Sequence, residues 1–355
     1  MRTWRWIFLA VAAAAVGAAF FFRGGIAVMA MKRVAPRAIT ADMVATLPDG
    51  LHVALCGTGS PLPDPRRSGP CTAIIAGPRV FIVDAGDGAA RMTARMRLPA
   101  ARLEGVFITH FHSDHIDGLG ALALMRWAGG GGTAPLPVRG PSGVERVVAG
   151  FNEAYAQDAA YRIAHHGADI VVPGGAGMTA QPFAIPDGAD QAVVFNDGGL
   201  RVMAFRVDHE PVAPAVGYRF DYGGRSVVVS GDTSRAPALE AAAQGVDLLV
   251  HEALGPNLVA LMEDSARQAG REKLAKIFKD IPDYHASPAD AAASARAAGV
   301  KALLLTHIVP VMPTPALEPV FLKGADFGGK LWIGRDGDLV SLPSGSGDIT
   351  KRNVL

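Results

Sequence analysis

Ile108-Thr109-His110-Phe111-His112-Ser113-Asp114-His115 continues an apolar run, Gly105-Val106-Phe107-Ile108, and places three imidazoles and a carboxylate within six residues. Neutral imidazole nitrogens and carboxylate oxygens are the donors that suit zinc and similar divalent ions. One ion takes about three or four such donors, so this cluster cannot complete two sites alone. His209, Asp232 and His307 stand at loop-like positions downstream and are the candidates to complete them. A merely polar loop would explain the histidines, but not their density, their place behind a strand and the matching partners together.

The chain has 355 residues, half of them apolar, which is enough for one large domain or two ordinary ones. The net charge of +1 hides an asymmetry. Residues 1–37 carry six bases (Arg2, Arg5, Arg23, Lys32, Arg33, Arg37) and no acid, so the remainder holds 28 bases against 33 acids, a net of −5. A mildly acidic body argues against nucleic acid as a partner, because a phosphate backbone calls for a basic footprint.

Trp6 to Phe22 is uncharged and almost wholly apolar, about the length of a membrane-spanning helix. It lies behind Arg2 and Arg5 and ends at Arg23. Residues 1–30 are therefore expected to be a membrane anchor, or a signal segment cleaved near Val28-Met29-Ala30. The positive-inside rule places the body outside. That implies a single-pass protein of a bacterial inner membrane with a periplasmic body, or a free periplasmic protein after cleavage. Residues 31–50 read as a linker, 51–345 as the folded domain and 346–355 as a tail. Cys56 and Cys71 are the only cysteines. Either they pair in an oxidising compartment or they are two buried thiols. Whether the chain forms a homodimer stays open.

Strand-like apolar runs recur at Leu51–Leu55, Thr72–Ala76, Val80–Val83, Val106–Thr109, Leu136–Arg139, Val202–Val207, Val216–Phe220, Val227–Val229, Leu248–Val250, Leu303–Leu305 and Leu331–Ile333. Helical patterns fall at Gly118–Ala128, Pro141–Ala159, Pro237–Gln244 and from Pro288 to Ala298, the last opened by an N-cap serine, Ser287. Glycines at 57, 59, 86, 88 and 231 punctuate strand ends. Gly129–Gly132 and Pro173–Asp190 read as loops bordering a cleft. The pattern is α/β, with two sheets covered by helices on both sides.

Five segments, in order, resemble the metallo-β-lactamase-fold hydrolase superfamily over about residues 50–342. They are Phe81-Ile82-Val83-Asp84-Ala85-Gly86, the His110–His115 cluster, Asp208-His209-Glu210 with Gly217-Tyr218-Arg219-Phe220, Ser230-Gly231-Asp232-Thr233, and Leu305-Thr306-His307. The resemblance implies a four-layer αββα sandwich, preceded here by one transmembrane helix, with two zinc ions (manganese or iron as alternatives) at the strand edges. By resemblance, His110, His112 and His209 hold the first metal, Asp114, His115 and His307 the second, and Asp232 bridges both. Asp84 matches a position that orients a ligand histidine, unless it only closes the turn at Gly86. A hydroxide between the metals would then attack an ester, with no serine or cysteine nucleophile.

His251-Glu252-Ala253 and Tyr284-His285-Ala286-Ser287 resemble segments of the ribonuclease Z and phosphodiesterase branch. There the histidine matching His285, held by the glutamate matching Glu252, protonates the leaving group. The catalytic set is then His285, Glu252 and Asp114, the last as a ligand rather than a free base. His251 is weighed as a structural histidine at a strand end, and His165-His166 as surface or pocket wall. Asp208 to Phe220 and Thr306-His307-Ile308-Val309-Pro310 also resemble the arylsulfatase-like group, and the spacing from His209 to Tyr218 is about two residues longer than expected for ribonuclease Z. Ribonuclease Z enzymes hold tRNA with a basic arm. Gly129–Leu200, where an arm would lie, carries three arginines against seven acids, a balance that repels phosphate. The expected function is thus a two-zinc hydrolase of a small-molecule ester, an aryl sulfate or phosphodiester, with no nucleic-acid partner. Alternatives are a tRNA 3′-processing endonuclease, a lactonase, and an inactive metal-binding scaffold, the last disfavoured by the full set of ligands.

Overall fold

The computed structural model describes the backbone of residues 2–355, and the side chains of these residues except 2, 10 and 13–19. It divides into two units, Met1–Asp42 and Met43–Leu355. The first contains two helices, Arg2–Phe21 and Arg23–Ile39, so the expected linker is helical as far as Ile39. Among the described residues no helix is long and apolar enough to cross a membrane. The expected anchor and its membrane partner are not supported. The arginines at 2, 5 and 23 confine the uncharged run, and residues 10 and 13–19, on which that expectation partly rests, lie outside the described side chains.

The second unit holds fifteen strands: β1 Gly50–Gly57, β2 Cys71–Ala76, β3 Arg79–Val83, β4 Leu103–Phe107, β5 Leu136–Pro141, β6 Met178–Phe183, β7 Gln191–Asp197, β8 Leu200–Arg206, β9 Val216–Tyr222, β10 Arg225–Val229, β11 Leu248–Leu254, β12 Ala302–Val309, β13 Lys330–Ile333, β14 Asp338–Pro343 and β15 Thr350–Asn353. They form two mixed sheets, ordered β15-β14-β1-β2-β3-β4-β5-β6 and β13-β12-β11-β10-β9-β8-β7. Successive side chains of a strand face opposite sides, and the central strands are apolar on both. Leu51, Val53 and Leu55 of β1 meet Tyr218, Phe220 and Val250 between the sheets. Ala54 and Cys56 face outward onto Met92, Leu119 and Val144, which belong to helices Ala89–Arg95, Leu119–Leu124 and Val144–His166. On the far side, Leu249, Leu303 and Leu305 bury Leu239, Ala291 and Ala295 of helices Pro237–Ala242 and Pro288–Ala297. The result is the expected αββα sandwich. Ser287 caps its helix as expected. Its hydroxyl accepts from the Asp290 amide, and Asp290 accepts from the Ser287 amide.

Several segments differ from their sequence reading, and β7 and β14 stand outside the strand-like runs named above. Pro173–Asp190 is not all loop, since β6 pairs in parallel with β5. The expected tail supplies β15, antiparallel to β14. Both strands lie at sheet ends and are largely solvated, so they lack the apolar run that marks a central strand. Of the two readings for the cysteines, the structure takes the first. Cys56 and Cys71 form a buried disulfide across a separation of 15 residues.

Candidate metal centre

The carboxyl ends of β3, β4, β8, β10 and β12 meet along one edge of the sandwich, and each delivers site residues: Asp84, His110, His209, Asp232 and His307. Two of these ends are bent on purpose. Asp84 and His307 both have left-handed backbone, φ 56° and 46°, a conformation that costs a non-glycine residue energy and gathers at functional sites. The β11–β12 register shows why at His307. Glu252 pairs with Thr306 and Ala253 with Ile308, so His307 is the extra residue of a bulge. A bulge re-aims a side chain out of the strand's alternation. Gly86 permits a close crossing: a Cβ there would lie 2.2 Å from the Asp114 carbonyl oxygen.

The predicted ligands converge. The His112 Nδ1 lies 3.0 Å from His110 Nε2 and 3.5 Å from His209 Nε2. On the other side Asp114 Oδ2 lies 3.3 Å from His307 Nε2 and 3.6 Å from His115 Nε2. Between the two groups, Asp232 Oδ2 is 3.2 Å from His115 Nε2, 3.3 Å from His307 Nε2 and 3.8 Å from His110 Nε2. The donor atoms of His110, His112, His209 and Asp232 fall within 4.8 Å of one another, as do those of Asp114, His115 and His307. Such His/Asp clusters are typical of binuclear sites of this kind, and the unpaired atoms fit the same reading. His115 Nε2 and Asp232 Oδ1 are buried without a hydrogen-bond partner, which a native fold tolerates only for a reason. Burial keeps His110 well below its ordinary pKa, and His209 below it too, so both are neutral donors. Burial alone would raise Asp232, but His307 and His115 beside it hold it well below the carboxylate range, so it is ionised.

Around this ring the outer nitrogens of His115 and His209 are anchored, while His307 Nδ1 is buried without a hydrogen-bond partner. Asp84 accepts from His115 Nδ1 at 2.8 Å, from the Thr109 amide at 2.9 Å and from the Thr109 hydroxyl at 2.8 Å. Asp84 is therefore more than a turn former. His209 Nδ1 donates to the Tyr284 carbonyl at 2.9 Å. Asp84→Asn turns the acceptor facing His115 into an amide and should weaken the ion held there by about 10–100-fold. Competitive titration against a chelating dye checks this, with an unchanged melting curve as the control; equal affinities would reduce Asp84 to a turn residue.

Glu252 and His285 form the other half of the site. His285 Nδ1 lies 2.8 Å from Glu252 Oε1, which also accepts from the amides of Thr233 at 3.0 Å and Ala286 at 3.2 Å. Burial opposes protonation of His285, and the Glu252 carboxylate overrides it, raising the pKa to about 9. His251 points to the other face of β11, buried, with Nδ1 on the Glu252 carbonyl at 2.7 Å and Nε2 without a hydrogen-bond partner. His165 and His166 end the helix Val144–His166, exposed, rather than sitting in a loop. The Tyr284 carbonyl and the Thr109 and Thr233 amides were not foreseeable as site groups, because a backbone donor or acceptor leaves no residue-type signal.

A beta-lactamase superfamily domain matches residues 79–308. The ribonuclease Z of Mycobacterium marinum is 36% identical over 289 residues, 81% of this chain and 96% of that protein. The ribonuclease Z of Mycobacterium avium is 38% identical over the same shares. Among solved structures, the metallo-β-lactamase-fold protein YhfI of Bacillus subtilis aligns with a TM-score of 0.57 at 19% identity, covering 82% of this chain and 99% of that one. Human tRNase Z, short form, aligns at 0.56 and 21%, with the same coverage; both share the fold. The mycobacterial relatives carry a nuclease's name, not a sulfatase's. They overturn the expectation of a small-molecule partner without nucleic acid. That expectation weighed charge summed over the whole body and over Gly129–Leu200, and a sum does not say where the cations lie, although Pro141, Phe183 and Asp187 of that segment line a cavity with His209.

Proposed function

Because the chain belongs to the metallo-β-lactamase superfamily, in its ribonuclease Z branch, and is a metal-dependent hydrolase of that fold, we propose that it cleaves a phosphodiester at the 3′ side of a tRNA precursor. The observation that carries this reading is the Glu252–His285 pair beside the ligand cluster, together with the identity to ribonuclease Z proteins along 81% of the chain. His110, His112, His209, Asp114, His115, His307 and Asp232 would hold two divalent ions, zinc by donor type with manganese or iron as alternatives. When bound, such ions polarise a phosphoryl group and acidify water.

The chain's own residues supply the rest. Asp84 fixes the His115 ring and the Tyr284 carbonyl fixes the His209 ring, so the cleft is preorganised. Glu252 holds His285 by Nδ1 and keeps it protonated. Among the described residues His285 Nε2 has no hydrogen-bond partner, its ring being held through Nδ1, and it is free to give its proton to the departing ribose oxygen.

The test is a panel on the purified, metal-loaded full chain: a tRNA precursor with a 3′ trailer, bis(p-nitrophenyl) phosphate, an aryl sulfate and a lactone. Cleavage of the precursor at the trailer junction is the expected result. Turnover of the sulfate or lactone with the precursor left intact would overturn it.

A further inference from the structure

A nuclease of this kind must hold the RNA backbone, and Gly129–Leu200, with three arginines against seven acids, offers it few cations. We infer that the RNA backbone docks on the helical hairpin Pro256–Gln268 and Glu272–Asp280. The inference rests on the RNA reading above.

Three observations carry it. The first is charge. Between Arg267 and Lys279 the chain has five bases (Arg267, Arg271, Lys273, Lys276, Lys279) and one acid, Glu272. All five bases are exposed. Arg267 pairs with Glu263 and Lys276 with Asp280. Among the described residues the side chains of Arg271, Lys273 and Lys279 have no ion-pair or hydrogen-bond partner, which leaves three cations with no internal work.

The second is geometry. Lys273, Lys276 and Lys279 recur every third residue, so they share one side of the helix. Ala275 and Phe278 on its other side are buried with Val259 and Ala266 of the partner helix. The basic side is therefore the outward one, and the hairpin's packing does not depend on it.

The third is position. The hairpin is pinned to the mouth of the metal cleft. The Leu254 amide donates to the Ala286 carbonyl at 2.8 Å, next to His285, and the Gly255 amide to the Val309 carbonyl at 2.7 Å, two residues past His307. Its C-terminal helix runs through Ile281–Tyr284 into His285. Lys279 lies six positions before His285, so even a fully extended chain would keep them within roughly 20 Å. Duplex nucleic acid carries one charge per about 1.7 Å of axis. Phosphates flanking a bond held at the metals therefore pass within reach of this face.

The experiment uses the metal-loaded full chain and two triple variants. Lys273→Glu with Lys276→Glu and Lys279→Glu reverses the charge; Arg at the same three positions preserves it. Precursor tRNA binding is measured from about 50 to 200 mM salt. Each lost phosphate contact lowers the slope of log K against log salt by about 0.7–0.9. The Glu variant is expected to lose about 2 from that slope, to bind at least about tenfold more weakly and to show a matching rise in KM. The Arg variant should bind like the parent, and all three proteins should hydrolyse bis(p-nitrophenyl) phosphate at one kcat, which shows an intact site. An unchanged slope and affinity in the Glu variant would remove the hairpin as the docking face while leaving the RNA reading standing. A parent chain that hydrolyses the small diester but binds no precursor would sink the RNA reading, and the docking face with it.

Discussion

Asp232→Ala should empty both metal positions and cut hydrolysis by about 10³-fold, the scale of losing a preorganised charge-stabilising group. The reason is its place. One carboxylate oxygen lies 3.2 Å from His115, 3.3 Å from His307 and 3.8 Å from His110, so its loss is felt on both sides of the ring. It also leaves buried imidazoles of like potential charge facing one another without the anion between them. His110→Ala, by contrast, removes a donor from one group only. Metal analysis by mass spectrometry after gel filtration distinguishes the two. The parent should carry about two ions per chain, and the Asp232 variant few or none. Full loading of the Asp232 variant would show that it serves neither site.

The second large effect is selective. His285→Ala should keep the metals and lose about 10²–10⁴-fold on a substrate with an alkoxide leaving group, the usual worth of a positioned general acid. A nitrophenolate leaves without help, so the loss on bis(p-nitrophenyl) phosphate should be far smaller. Glu252→Gln should show a weaker form of the same pattern. It still accepts at Oε1, but it no longer supplies the charge that raises His285 to a pKa of about 9. Equal losses on both substrates with metals retained would make His285 a binding group. Loss of metal would make it a ligand, which its proximity to Asp232 and His307 allows.

Most of the His/Asp cluster was legible because it gathers histidines, of which the chain has ten, with aspartates behind the ends of apolar strands. Most central strands, β14 excepted, were legible for a related reason: buried on both faces, they read as continuous apolar runs. What escaped was held by groups without such a signal. β6 and β15 are largely solvated and lack a continuous apolar run. The hairpin Pro256–Gln268 and Glu272–Asp280 lies between two recognised segments, Glu252 and His285, and was passed over as connection. With it goes its run of exposed bases, which a charge summed over the whole body or over Gly129–Leu200 does not reveal. The bulge that turns His307 inward depends on the neighbouring strand's register, which no single segment encodes.

The strand at the C-terminal end has a role unlike any of these. β15 is the outer edge of the eight-stranded sheet and reads Thr-Lys-Arg-Asn. It covers β14, whose Leu339, Val340 and Leu342 are wholly or almost wholly buried. An apolar strand of that kind with open backbone groups is a template for pairing with another copy. Arg352, exposed on β15, is a charge that discourages such addition. Lys351 is moreover tied down by Asp338 at 2.8 Å. The last turn of chain thus acts as a gatekeeper, keeping the sandwich from growing sideways into an aggregate.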